Sequence, residues 1–136
     1  MTNGNALAVG TGALKAILVT QAVIDLIYGL MHLLMPEMVM ELAQEPANSN
    51  PAWIRWSGGT LLGLAVAMYM ASRDVTKQLP IVTLGAVGNT LVGAALVYTF
   101  FTEYQGATAF IAPSIVITLI MAVLFWWARA KYRDIL

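Results

Sequence analysis

The sequence predicts an all-α integral membrane protein, built as an up-down-up-down bundle of four helices. Of its 136 residues, 60% are hydrophobic and only 10% are charged, whereas soluble domains usually carry about 25% charged residues. A domain this small has too much surface for its volume to hide so many apolar side chains. Four apolar stretches reach the roughly 20 residues that a membrane-crossing helix needs.

The predicted spans follow one another closely and form a single transmembrane domain over residues 1–136. They cover residues 13–35, 53–72, 79–102 and 108–130. Short connections make consecutive helices antiparallel neighbours. A membrane β-barrel is not expected, because the apolar runs lack strict two-residue alternation.

The longest connection, residues 36–52, divides into two parts. Apolar and acidic side chains interleave over residues 37–44, which predicts a short amphipathic helix lying at the membrane interface. Residues 45–51 are rich in proline and asparagine and predict a loop. The other connections, residues 73–78 and 103–107, are short and polar, and the second is expected to turn at its glycine.

Basic residues are unevenly distributed between the two sides of the predicted bundle. Arg55 stands alone on one side, whereas six basic residues lie on the other: Lys15, Arg73, Lys77, Arg129, Lys131 and Arg133. Cytoplasmic loops carry an excess of lysine and arginine. Both termini are therefore predicted to lie on the cytoplasmic side of a bacterial-type cytoplasmic membrane.

Small residues predict the faces through which the helices pack. Burial alone gives little drive for association in lipid, so close backbone approach and a few hydrogen bonds must supply it. Gly59 and Gly63 stand four residues apart in the second span, and Gly85 and Gly93 offer a similar face in the third. We expect these four glycines to lie at contacts between helices.

A polar face runs along the first span. Residues three and four apart share one side of a helix, and here that side carries Gln21, Asp25, Tyr28 and His32. A charged carboxylate at mid-bilayer costs about 2.5–3.5 kcal/mol even on the lenient insertion scale. We therefore expect this face to look inward and to find partners.

Depth along the helices predicts which polar groups meet. At a rise of about 1.5 Å per residue, Asn89 and Thr118 fall at the depth of Asp25. Arg55 enters the second span roughly 15 Å away from that depth, which is too far for an arginine side chain to bridge. Its expected partners are the two outer members of the polar face or the carboxylates of residues 37–45.

Each ionisable group in the spans has a functional and a structural interpretation. Asp25 is either a proton acceptor, cation site or anchor for a lipophilic ligand, or a carboxyl that fixes helix register by bonding to Asn89. His32, the single histidine, is a proton shuttle, one axial ligand to a haem or chlorin, or a polar residue near the interface. Arg55 either clamps an anionic group or anchors its helix at the interface.

Several chemistries are excluded or disfavoured by what the sequence lacks. Without cysteine, the chain has no disulfides, thiolate metal sites or cysteine nucleophile. Zero net charge gives no bias toward nucleic acid. No phosphate-binding glycine loop, zinc-binding HExxH motif or serine-hydrolase elbow is present. The sequence thus indicates no cofactor and no metal site, and it favours a role without catalysis.

The start of the second span resembles a known family. The chain runs Arg-Trp-Ser-Gly-Gly-Thr-Leu-Leu-Gly from Arg55 to Gly63, after a first span that ends at Pro36. An Arg-x-x-Gly-Gly helix start in this position is similar to the DoxX-like small four-helix membrane proteins, over the first half of the chain. The resemblance implies a compact four-helix bundle, and some members are subunits of membrane redox complexes. A thiol-linked redox role conflicts with the lack of cysteine.

Two functions are compatible with these observations. The first is a non-catalytic accessory or scaffold subunit of a membrane complex, redox or photosynthetic, which packs against other membrane subunits or copies of itself. The second is a binder, carrier or proton-coupled enzyme for a small lipophilic molecule, using Asp25, His32 and Arg55. Short loops and smooth helix faces favour the first function, which is the one we expect.

Overall fold

The computed structural model describes residues 10–45, 49–102 and 110–136. Within these residues the regular elements are all α-helices: α1 (Gly12–Leu34), α2 (Pro36–Leu42), α3 (Ala52–Arg73), α4 (Leu79–Thr102) and α5 (Ile111–Lys131). The prediction of an all-helical chain is confirmed for this part. The predicted turn after α4 and the first residues of the predicted fourth span lie outside the described residues.

Three of these helices are long and apolar enough to cross a membrane, namely α1, α4 and α5. They suit a lipid bilayer environment. The helix α3 is equally long but falls outside this group. Its first half carries Arg55 and the polar run of residues 57–60, which lower its mean hydropathy.

Proline determines where α1 ends. Pro36 has no amide hydrogen and disfavours a helical backbone at the preceding residue. Met35 accordingly leaves the helix, with φ −131° and ψ 48°. The proline then begins α2, where its fixed φ is tolerated. The short helix α2 buries Pro36 and Val39 and exposes Glu37, which is the amphipathic pattern predicted for this segment.

The four long helices associate as two pairs. The helix α1 packs along α3, and α4 packs along α5, whereas contacts between the pairs are sparse. In the first pair the backbones meet at Gly29 and Gly58, where a Cβ added to Gly58 would lie 2.7 Å from the Leu33 nitrogen. In the second pair the ring of Phe125 covers Gly85, 2.6 Å from an added Cβ.

The four glycines expected at helix contacts divide into two groups. Gly85 and Gly93 lie against α5, and Gly93 contacts the Leu119 side chain. In contrast, Cβ atoms added to Gly59 and Gly63 would meet no atom within 4 Å. The neighbouring Gly58 makes the close contact instead. One residue turns a helix by about 100°, so these two glycines face away from α1.

An apolar core joins the two pairs at one end of the molecule. It lies at the N-terminal half of α1 and includes side chains from all four long helices: Leu14, Leu18, Met68, Val82, Met121 and Phe125. Leu14, Leu18, Val82 and Phe125 are completely buried. Toward the other end of α1 the pairs separate, and the space between them forms the candidate site.

Candidate functional site

A cavity of about 250 Å³ lies between the two helix pairs and is lined by α1, α3, α4 and α5. It extends along α1 from Gln21 to His32, roughly 16 Å at the helical rise. A cavity of about 150 Å³ is large enough for benzene, so this one has room for a larger ring system.

The cavity opens to the outside of the molecule beside α4. Leu84 and Val92 line it, yet they are 45% and 50% exposed. The helices α3 and α4 make few contacts with each other, which leaves a gap on this side. In a bilayer such a gap faces the lipid rather than water.

Gln21, Asp25 and Asn89 form the deep polar group of the cavity wall. Asn89 Nδ2 donates to Gln21 Oε1 over 3.0 Å, and Gln21 Nε2 donates to Asp25 Oδ1 over 2.7 Å. Asp25 is only 4% exposed. Its second oxygen, Oδ2, is buried without a hydrogen-bond partner among the described residues. Asn89 thus reaches Asp25 through Gln21, and one carboxyl oxygen of this cavity-lining residue is left without a partner among the described residues.

The shallow polar group consists of Tyr28 and His32, which lie one and two turns beyond Asp25 along α1. The Tyr28 hydroxyl lies 3.1 Å from Ser114 Oγ, and His32 Nδ1 lies 3.0 Å from Ser57 Oγ. The two rings meet edge to face, and the Phe110 ring packs against both, with centroids 5.8–6.2 Å apart. His32 Nε2 is buried and has no partner in the described part of the chain.

Six of the predicted site residues line this cavity: Gln21, Asp25, Tyr28, His32, Asn89 and Thr118. Thr118 donates its hydroxyl hydrogen to backbone carbonyl groups of its own helix. Arg55 is not brought to the cavity. It lies in the first turn of α3 and pairs with Glu37 over 2.9 Å, and the two side chains are 48% and 70% exposed. This is one of the partners predicted for it.

Three residues that bond to or pack against Tyr28 and His32 were not predicted as site residues, namely Ser57, Phe110 and Ser114. Ser114 could have been found, because it stands four residues before Thr118 and shares its helix face. Ser57 lies beside Gly58, whose contact with α1 brings it to His32. No sequence pattern marks Phe110.

The chemistry available in this cavity is hydrogen bonding within apolar walls. Apart from the two polar groups, the lining is mostly hydrophobic, with Leu61, Leu64 and Met68 contributed by α3. Apolar walls with a few convergent polar atoms are typical of small-molecule sites. Among the described residues no group of three or more His, Asp or Glu could hold a metal ion.

Comparisons with known proteins assign no family to this chain. No protein-family model, curated protein or solved structure matches it. The resemblance to the DoxX-like proteins therefore stays a prediction, carried by the motif at Arg55 and Pro36.

Proposed function

We propose that the protein binds a small lipophilic molecule in the cavity between its two helix pairs. The observation that carries this proposal is the buried Asp25 Oδ2, which lacks a partner among the described residues at the wall of a cavity. A buried polar atom without a hydrogen bond costs about 1–3 kcal/mol. A ligand that bonds to Oδ2 would recover this free energy. The opening at Leu84 and Val92 gives a molecule dissolved in the bilayer a route to the site.

Gly88 offers a way to fill the cavity without disturbing helix packing. It lines the cavity, and a Cβ added to it would meet no atom within 4 Å. Gly88→Leu therefore places a side chain in the space that the ligand would occupy. Gly63→Leu is the matched control, because Gly63 is also in open space but lies on the outer face of α3.

The test is native mass spectrometry of the protein extracted from its own membranes into nanodiscs. We expect the wild type and Gly63→Leu to retain the same small organic molecule in equimolar amount, and Gly88→Leu to have lost it. The proposal fails if the wild type carries no such molecule, or if all three proteins carry it equally.

For the architecture, we propose that α3 is a fourth membrane span and that both termini are cytoplasmic. Support comes from its packing along α1, from the exposed apolar side chains of Val66 and Met70, and from the partition of basic residues. The chain has no cysteine, so single cysteines report topology without background. We expect Asn50→Cys to react with an impermeant thiol reagent on intact cells, and Gln78→Cys to react only after lysis. The reverse labelling pattern would show that the chain has the opposite orientation in the membrane.

A second candidate function is that of an accessory subunit that packs against another membrane protein or a second copy. It is supported by Gly59 and Gly63, which are exposed and face open space, since small residues four apart allow close approach of membrane helices. Under this candidate, Gly63→Leu abolishes co-purification of the partner and Gly88→Leu preserves it. Unchanged co-purification with Gly63→Leu would remove the outer face of α3 as the contact.

A further inference from the structure

We infer that the shallow end of the cavity accepts hydrogen bonds and donates none, so that the site selects lipophilic alcohols, phenols or amines over ethers and carbonyl compounds of the same shape. This inference rests on the proposed function. It follows from where the hydroxyl hydrogens of Ser57, Ser114 and Tyr28 are used.

The hydrogen bonds of Ser57 fix the state of His32. Ser57 has one hydroxyl hydrogen, which it donates to the Ile54 carbonyl oxygen over 2.7 Å. Its oxygen therefore accepts the 3.0 Å bond from His32 Nδ1. In a neutral imidazole a hydrogen on Nδ1 leaves Nε2 as a bare acceptor. Nε2 is buried without a partner among the described residues, and His32 lines the cavity, so a ligand that reaches this ring nitrogen has to supply the hydrogen.

Tyr28 likewise offers the cavity an acceptor. The hydroxyl of Ser114 donates to the Phe110 carbonyl oxygen over 2.7 Å. Tyr28 must therefore donate in its 3.1 Å bond to Ser114 Oγ. Its own oxygen then has only lone pairs left for the cavity. Tyr28 and His32 are one helical turn apart, and both present acceptors.

The deep polar group has a different balance of donors and acceptors. Both hydrogens of Asn89 Nδ2 are used, one by Gln21 Oε1 and one by the Gly85 carbonyl oxygen, whereas Gln21 Nε2 gives one of its two hydrogens to Asp25 Oδ1 and keeps the other as a donor. Asp25 Oδ2 accepts a bond when the carboxyl is ionised and donates one when it is protonated. It lies seven residues along α1 from His32, roughly 10 Å at the helical rise. The acceptors at the shallow end are therefore independent of its protonation.

An aromatic alcohol with two fused rings suits this end of the cavity. Tyr28, His32 and Phe110 line it, and their rings pack against one another; aromatic groups prefer edge and offset contacts of this kind. The cavity volume of about 250 Å³ exceeds what benzene requires. We therefore choose 2-naphthol as the probe. The comparison compound is 2-methoxynaphthalene, which has the same rings but no hydroxyl hydrogen.

The test is an equilibrium titration in which each probe is added to the protein in nanodiscs and its binding is monitored by naphthalene fluorescence. Any lipophile already bound to the protein is first removed by detergent washing. The Gly88→Leu protein gives the background from partition into lipid. A ligand without a donor leaves Nε2 buried and unpaired, so we expect 2-naphthol to bind at least about tenfold more tightly. Equal affinity for the two probes would overturn the inference and leave the proposed function standing. Binding of neither above the Gly88→Leu background would overturn both.

Ser57→Ala separates the hydrogen-bond argument from simple shape. Without Ser57 Oγ, His32 is free to carry its hydrogen on Nε2, so we expect the preference for 2-naphthol to shrink severalfold and the affinity for 2-methoxynaphthalene to hold or rise. Thr60→Val is the control, because it also removes a hydroxyl bonded to its own helix backbone, but at an exposed position. An unchanged preference in Ser57→Ala would contradict the role of Ser57 as a positioning residue.

Discussion

The hydrogen bonds from Asn89 to Gln21 and from Gln21 to Asp25 predict an unequal response to three substitutions of similar size. Gln21→Met removes both bonds, because Gln21 accepts from Asn89 and donates to Asp25. Asn89→Leu removes the bond between α4 and α1 and the bond from Asn89 to the Gly85 carbonyl oxygen of its own helix, but it keeps the bond from Gln21 to Asp25. Asp25→Asn removes neither, because an asparagine oxygen still accepts from Gln21 Nε2.

The expected magnitudes follow from this count. Side-chain hydrogen bonds between membrane helices average about 0.6 kcal/mol, with a maximum near 1.7, which sets the cost of Asn89→Leu. Gln21→Met loses two such bonds and leaves both oxygens of Asp25 without a partner, which adds about 1–3 kcal/mol. We therefore expect a total of roughly 2–4 kcal/mol. Asp25→Asn should be neutral or slightly stabilising, because it removes an acid from the membrane interior.

The assay is equilibrium unfolding in mixed micelles, with the two substitutions Gln21→Met and Asn89→Leu also combined. The double variant should be no more than about 0.6 kcal/mol less stable than Gln21→Met alone, because the shared bond is already lost. A larger loss of stability for Asp25→Asn than for Gln21→Met would mean that the charge of Asp25, and not its hydrogen bond, stabilises the fold.

Three further outcomes are expected away from the cavity. Gly58→Leu should lower the free energy of unfolding by about 1–3 kcal/mol through overpacking, whereas Gly59→Leu beside it should be neutral. Equal effects of the two substitutions in thermal unfolding would contradict the contact at Gly58. Arg55→Ala should cost less than about 1 kcal/mol, because its ion pair is exposed, and should leave ligand retention unchanged; lost ligand would return Arg55 to the site. Hydrogen bonds from the hydroxyl and then the amide of Thr76 hold the pKa of Asp74 below its ordinary 3.8, so their stabilisation is present above that pH and is lost as the pH falls through the lower, folded-state pKa. Thr76→Ala should weaken this acid sensitivity in unfolding experiments, and an unchanged pH profile would contradict it.

Much of the architecture is encoded in local sequence patterns. Apolar stretches of helical length and the breaking effect of Pro36 place the helices close to their observed ends. Helical periodicity alone puts Gln21, Asp25 and His32 on one face. Because polar groups exposed to lipid cost free energy, that face is expected to turn inward. These inferences succeed because they depend on residues within one helix.

Relations between helices are less accessible to the sequence. The stripe of Gly59 and Gly63 suggests a contact, but the contact lies at Gly58, because packing against α1 fixes the rotation of α3 and no residue within α3 reveals it. The gap between α3 and α4 likewise depends on how the two helix pairs pack around the apolar core that contains Phe125. The sequence leaves several possible partners for Arg55, and the structure shows that it pairs with Glu37.

The single histidine allows a direct test of ligand binding at the shallow end of the cavity, because one ¹⁵N-labelled residue gives one assignable imidazole. We would record its nitrogen resonances in nanodiscs, with and without 2-naphthol. We expect a hydrogen on Nδ1 and a bare Nε2, whose resonance shifts when 2-naphthol is added to the wild type and not when it is added to Gly88→Leu. A hydrogen on Nε2, or a resonance that does not respond to the probe, would contradict the assignment of this cavity as a site for lipophilic hydrogen-bond donors.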